Sequence, residues 1–252
     1  MQTARATMAW LEAGSGWPLV LLHAFPLDAE MWRPQLEHVP DGWRFIAPHF
    51  RHSARIDDYA ADVDALMNAL EIDDAVIAGA SMGGYVAFAL FRLAPARINA
   101  LVLADTRPQA DTPAGRDGRM RMRERLVAGG PAAVADDMLP KLLSARAASD
   151  DPALVARARR IIERQDAAGI DLAIGALMDR PDSTPDLARF ACPALVVVGE
   201  LDSITPPADA QAMQQALPRS TLTVIPGAGH LSNLERPEAF TRALGDFLVA
   251  RL

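Results

Sequence analysis

The sequence predicts a layered α/β fold, a mostly parallel, twisted sheet with helices on both faces, interrupted once by an inserted helical lid. Three observations predict it. Short apolar runs bounded by Gly, Pro or Asp recur along the chain, stretches with apolar residues three or four apart separate most of them, and one long stretch carries helical periodicity and no strand-like run.

The opening ATMAWLEAG, residues 6–14, alternates weakly and leads into Gly14-Ser15-Gly16, the pattern of an antiparallel hairpin at a sheet edge. The runs PLVLLH (18–23), RFIAP (44–48), AVIAG (75–79), INALVLAD (98–105), ALVVVG (194–199) and TLTVIP (221–226) are short and mainly apolar, as buried strands of a parallel sheet are. Helical spacing falls over Tyr59 to Leu70, Met82 to Leu93, Pro207 to Leu217 and Pro237 to Leu248. Between Arg107 and Asp186 only helical patterns occur: RMRMRERLVAG, AAVADDMLPKLL, ALVARARRIIERQ and LAIGALM. Residues 1–106 and 187–252 are therefore assigned to the sheet core and 107–186 to the helical insertion. That insertion leaves from the carboxyl end of the sheet, where open α/β folds bind ligands.

The 252 residues suffice for one main core. A net charge of −7, with basic residues scattered among acids, argues against a nucleic-acid partner. No apolar stretch reaches the roughly 20 residues of a membrane helix, and the amino-terminal residues lack the apolar core of a secretion signal, so a cytoplasmic protein is expected. Cys192, the single cysteine, precedes Pro193 and reads as a buried structural thiol. His49 and His52 form an isolated, solvated pair, and neither His nor Cys shows ligand spacing, so neither metal nor cofactor is expected.

The strongest local signal is Gly79-Ala80-Ser81-Met82-Gly83, a G-x-S-x-G placed directly after the run AVIAG and directly before an amphipathic stretch. A serine at a sharp strand-to-helix turn exposes its hydroxyl, and glycines two before and two after avoid a collision of side chains. A nucleophilic serine needs a base, and the base needs an orienting carboxylate. Asp202 follows the run ALVVVG, and His230 lies in Gly227-Ala228-Gly229-His230 after TLTVIP, so Ser81, Asp202 and His230 occur in the required order at strand ends. Two other acids compete with Asp202: Glu200, two residues away, and Asp105, at the end of an earlier strand. Asp202 itself has the alternative reading of an N-cap for the helix beginning near Pro206. For the oxyanion, the Met82 N–H at the helix start and the Phe25 N–H in the loop after the first core strand are the candidate donors. His23, flanked by apolar residues, reads as a hydrogen-bonded support for that loop.

Taken together, HAFPLDAEMW, GASMGG, LVLADTRPQADTP, VVVGELDSITPP and PGAGHLSNLERPEAF resemble the α/β-hydrolase superfamily over nearly the whole chain. The resemblance implies Ser81, Asp202 and His230 as a catalytic triad and Phe25 and Met82 as the oxyanion hole. It also implies hydrolysis of small carboxylic esters or lactones without a cofactor, as in small carboxylesterases and enol-lactone hydrolases. Perhydrolase or haloperoxidase chemistry, C–C bond hydrolysis on the same triad, and a silent ligand-binding protein of this fold are the alternatives. Two departures stand out. His23 is followed by Ala24 where relatives carry Gly, and the loop APHFRHSARIDDYA (47–60) is shorter than usual. Pro26, resembling a feature of perhydrolase-competent members, reads as a rigid loop proline.

Overall fold

The computed structural model describes residues 8–250. Within them a seven-stranded sheet runs in the order β1-β3-β2-β4-β5-β6-β7. Its strands are β1 (Trp10–Gly14), β2 (Trp17–Leu22), β3 (Trp43–Pro48), β4 (Ala75–Ala80), β5 (Ile98–Ala104), β6 (Ala194–Gly199) and β7 (Ser220–Ile225). All but β1 are parallel, with Leu21 opposite Ala78, Leu103 opposite Gly79 and Val197 opposite Thr223. Every residue of β4 and of β6 is buried, which explains their unbroken apolar runs.

The helices are α1 (Arg33–Leu36), α2 (Ile56–Ala69), α3 (Met82–Leu93), α4 (Pro113–Leu142), α5 (Ala147–Asp150), α6 (Pro152–Glu163), α7 (Ala167–Met178), α8 (Pro207–Ala216), α9 (Ser232–Glu235) and α10 (Pro237–Val249). Right-handed crossovers place helices by the direction of each step across the sheet. The step from β2 to β3 runs one way, and those from β3 to β4, β4 to β5 and β6 to β7 run the other. Hence α2, α3 and α8 cover one face while α1 and α10 share the opposite one, in keeping with the packing of α2 on α3 and of α1 against α10. The reversal also opens a crevice between the carboxyl ends of β2 and β4.

Two expectations are corrected. β1 lies at the sheet edge and is antiparallel, but it pairs with β3, Trp10 opposite Pro48 and Gly14 opposite Arg44, and makes no hairpin with β2. Both edges of β2 are taken by the parallel strands β3 and β4, so the half-exposed β1 fits only at the margin. Gly14, at φ +77°, lets the chain pass under the start of β3: a Cβ there would stand 2.3 Å from the Trp43 carbonyl oxygen. The start of the predicted hairpin segment, residues 6–7, lies outside the described residues. Cys192 is half-buried rather than buried.

Between β5 and β6 the described chain is helical, with caps that the sequence supplies locally. The Thr112 hydroxyl accepts from the Gly115 N–H at 3.1 Å, Asp151 from Leu154 at 2.9 Å and Asp166 from Gly169 at 3.0 Å. Two of the predicted helices run together as α4, bent at Gly130, whose φ is +67°, just before Pro131. Three anchors tie this segment to the sheet core. Arg164 and Gln165 bind the Asp28 carboxylate at 2.6 and 2.9 Å, the Leu231 N–H donates to the Leu142 carbonyl at 3.0 Å, and Phe190 stacks on Phe91 at 3.8 Å with Phe88 edge-on. Phe190 is wholly buried at the return to β6. Phe190→Ala is expected to cost about 3–5 kcal/mol in urea-induced unfolding, the usual loss for emptying a core phenylalanine site; a change below about 1 kcal/mol would mean the anchor is not needed.

Candidate active site

Ser81 sits between β4 and α3 at φ +50° and ψ −111°, a strained conformation for a residue with a Cβ. The surroundings hold it there. The Ser81 N–H donates to the Ala104 carbonyl at 2.9 Å, and its own carbonyl accepts from the Thr106 hydroxyl at 2.8 Å and the Gly84 N–H at 2.9 Å. Close backbone approach accounts for the flanking glycines. A Cβ on Gly79 would lie 2.3 Å from the Gly83 carbonyl oxygen, and one on Gly83 would lie 2.2 Å from that of Leu22.

The loops after β6 and β7 bring the other two polar groups to this turn. His230 Nε2 lies 2.8 Å from Ser81 Oγ, and His230 Nδ1 lies 2.8 Å from Asp202 Oδ2. Imidazole and carboxylate are almost entirely buried while Ser81 is partly open. Asp202 Oδ1 accepts from the N–H groups of Ile204 and Thr205 at 2.8 and 2.9 Å, and the Thr205 hydroxyl donates to Asp202 Oδ2 at 2.7 Å. Asp202 thus orders the turn before α8 without capping that helix, whose first residue follows Pro206. Burial pushes its carboxyl up, but the hydrogen bond and charge of His230 and the Thr205 donors outweigh burial and hold it below the ordinary carboxylate range.

The competing acids have other partners. Glu200 accepts from the Gly227 N–H at 2.8 Å, outside the relay. Asp105 is fully buried and ties the two loops together: Oδ1 accepts from the Gly199 N–H at 2.9 Å, and Oδ2 from the Ser232 N–H at 3.1 Å and hydroxyl at 2.6 Å. Desolvation and the repulsion of Asp202 push its carboxyl up to about 7. A second buried acid, Glu235, receives the Gly229 N–H at 2.8 Å and the Ser144 N–H at 3.0 Å, together with the Ser144 hydroxyl, and so joins the His230 loop to the helical segment.

Phe25 borders one cavity with Ser81, Tyr85, His230, Met138 and Ile204, and a second, mainly apolar one with Met82, Phe50, Tyr59 and Ile170. His23 supports this loop: the Phe50 N–H donates to Nε2 at 3.1 Å, which leaves Nδ1–H to donate to the Ala24 carbonyl at 3.1 Å. Burial holds its imidazole down to about 4, in the neutral form. A larger groove between β7 and α10 is lined by none of these residues. Thr205 and Glu235 escaped sequence reasoning. Thr205 had a faint signal, a hydroxyl three residues after a loop Asp; Glu235, in an exposed-looking Asn-Leu-Glu-Arg, had none.

The raised Asp105 carboxyl has a consequence for stability. Its folded value of about 7 exceeds the ordinary 3.8, so folding takes up a proton between those limits, and the stability this group allows is greatest below about pH 4 and lost as pH rises to about 7. His23, held down, acts in the opposite sense over part of that window. The readout is therefore the difference between wild type and Asp105→Asn: across pH 4–7 the wild-type Tm should fall relative to that of the variant, and parallel Tm profiles would show that Asp105 is ionised throughout.

The comparisons with known proteins agree with this architecture. The family model described as the alpha/beta hydrolase fold matches residues 18–237. A 3-oxoadipate enol-lactonase from Acinetobacter baylyi is 29% identical over 236 residues, covering 90% of this chain and 86% of its own. Among solved structures, a thermophilic esterase from Thermogutta terrifontis with malate bound superposes with a TM-score of 0.93 at 37% identity, covering 96% of this chain and 93% of its own. An enol-lactonase from Burkholderia xenovorans superposes with a TM-score of 0.88 at 27% identity, covering 96% of each chain. With a seven-stranded sheet of this order, a family model spanning most of its length and such relatives, the chain belongs to the alpha/beta hydrolase fold family.

Proposed function

We propose that the protein is a serine hydrolase that cleaves small carboxylic esters or lactones through an acyl-enzyme intermediate. The observation that carries the proposal is the unbroken chain from Asp202 through His230 to Ser81, with 2.8 Å at each link and its serine on a strained turn facing a cavity. In this reading Ser81 Oγ attacks the carbonyl carbon while His230 Nε2 takes its proton. The C–O bond to the leaving alkoxide then breaks and His230 returns the proton to it. Water repeats the sequence on the acyl-enzyme, releasing the acid and restoring Ser81. Asp202, kept anionic by His230 and Thr205, holds Nδ1 protonated and stabilises the imidazolium formed in each half-reaction.

The tetrahedral oxyanion is assigned to the N–H groups of Phe25 and Met82. Support comes from position: Phe25 follows β2, Met82 opens α3, and the two strands are neighbours, so donors from both meet at the topological switch point beside Ser81. Each such donor contributes about 3 kcal/mol of transition-state stabilisation. The amino-terminal end of α3 favours the developing negative charge as well. The helical segment 107–186 acts as a lid in this reading, because Asp111, Arg119, Met138, Leu177 and Arg180 line the cavity with Ser81. The esterase and enol-lactonase relatives support the ester and lactone substrate class.

Turnover of p-nitrophenyl acetate is expected to fall to background in Ser81→Ala, and on the order of 10⁴-fold in Asp202→Asn. Equal activity of Ser81→Ala and wild type would remove the serine from the mechanism, and a folded Asp105→Asn variant with the larger loss would move the acid role there. A fluorophosphonate probe should label wild type at Ser81; absence of labelling would favour a silent binding protein. A panel of esters, lactones and β-diketones separates ester hydrolysis from C–C bond cleavage, which would show as turnover of the diketones alone.

A further inference from the structure

The cavity that opens at Ser81 has a wall of unusual charge for so acidic a chain. Arg107, Arg119 and Arg180 line it together with one carboxylate, Asp111, although the protein as a whole carries a net charge of −7. Arg180 is nearly fully buried and bonded through Nε and Nη1. It pairs with Asp111 Oδ1 at 2.7 Å, donates to the carbonyls of Leu177 at 2.7 Å and Gln109 at 3.2 Å, and lies 4.3 Å from the centre of the Tyr85 ring. Arg119, on α4, reaches the same carboxylate through Nε alone, at 3.2 Å from Oδ2. Among the described residues its two terminal nitrogens have no hydrogen-bond partner. Arg107 turns to Asp209 at 3.3 Å and to the Ile204 carbonyl, and its buried Nε also lacks a partner.

A structural role would need only Arg180. One guanidinium satisfies Asp111 and braces the helical segment against Tyr85. A second guanidinium on the same carboxylate leaves one positive charge without a counter-charge in a half-enclosed site, where removing a charge from water is costly. The two arginines outweigh burial at Asp111 and hold its carboxyl below the ordinary range, so protonation does not alter this balance near neutral pH. An arginine fork with free donors is matched in shape and charge to a carboxylate, which it can hold by two parallel hydrogen bonds.

We propose that Arg119, braced by Asp111 and Arg180, binds a free carboxylate of the substrate, so that the preferred substrates are esters or lactones carrying a second, ionised carboxyl group. The inference rests on the hydrolase reading for its substrate class, while the anion site itself can be tested without turnover.

Two p-nitrophenyl esters of equal chain length separate the effect of the charge: the valerate, which is neutral, and the hydrogen glutarate, which ends in a carboxylate. In wild type kcat/KM for the glutarate should exceed that for the valerate by about ten-fold or more, the size of one charge-assisted hydrogen bond made in the transition state. In Arg119→Met the ratio should collapse to about one, Arg119→Lys should keep part of it, and added salt should reduce it. Free glutarate should bind wild type in calorimetry and bind Arg119→Met at least several-fold more weakly, a readout that needs no catalysis. A wild-type ratio at or below one, or a ratio or glutarate affinity unchanged in a folded Arg119→Met, overturns the proposal. If neither ester is cleaved and Ser81 resists the fluorophosphonate, the hydrolase reading fails instead, and glutarate binding still decides the anion site. Should Arg119→Met not fold, inhibition of valerate hydrolysis by glutarate in wild type, with hexanol as the uncharged control, decides in its place.

Discussion

Backbone passes backbone at the Ser81 turn with no space for a Cβ at Gly79 or Gly83, and the rest of the site is arranged around that contact. Because β4 and α3 can close so tightly, Ser81 is forced to a positive φ, its hydroxyl leaves the sheet at the crevice beside β2, and the first turn of α3 lies behind it. The neighbouring strands share the work. The Ala104 carbonyl of β5 and the Thr106 hydroxyl fix the turn from one side, while the approach of Gly83 to Leu22 of β2 fixes it from the other. A strain of about 1–3 kcal/mol is retained because several contacts over-determine the conformation.

Two buried aspartates near one imidazole show how environment separates identical side chains. Asp202 has a cation-capable partner and hydroxyl and backbone donors, and remains ionised. Asp105, desolvated by full burial, has only neutral donors and a neighbouring anion, and its carboxyl rises. Its place is between the strands, where it fastens the Gly199 end of β6 to Ser232 and so fixes the loop that carries His230. Glu235 does the same from the other flank through Gly229.

The helical segment is fastened at the points where movement would disturb the site. Arg164 and Gln165 grip Asp28 just beyond the Phe25 loop, Ser144 and Leu142 engage the His230 loop, and Arg92 of α3 binds Ser183 and Asp186 near the return to β6. The same segment brings guanidinium groups to the cavity wall. Position and charge of that wall are therefore set by residues distant in sequence from the serine.

Much of this was legible along the chain. Period and punctuation determined six strands, because strands of a covered parallel sheet read as short, mainly apolar runs, and the strand, G-x-S-x-G and helix succession determined the turn, because only glycine tolerates such close backbone. The chain order of Ser81, Asp202 and His230 at strand ends marked the polar groups that meet. Which acid reaches the imidazole was decided by the tertiary structure, since Glu200, Asp202 and Asp105 are all acids at strand ends and only the loop path brings Asp202 Oδ2 to His230. The partner of β1, the Thr205 and Glu235 supports, the Asp28 clamp and the gathering of Arg107, Arg119 and Arg180 on one wall were decided there too. Local pattern records whether a residue faces apolar surroundings or solvent; it carries no record of which distant polar group satisfies it.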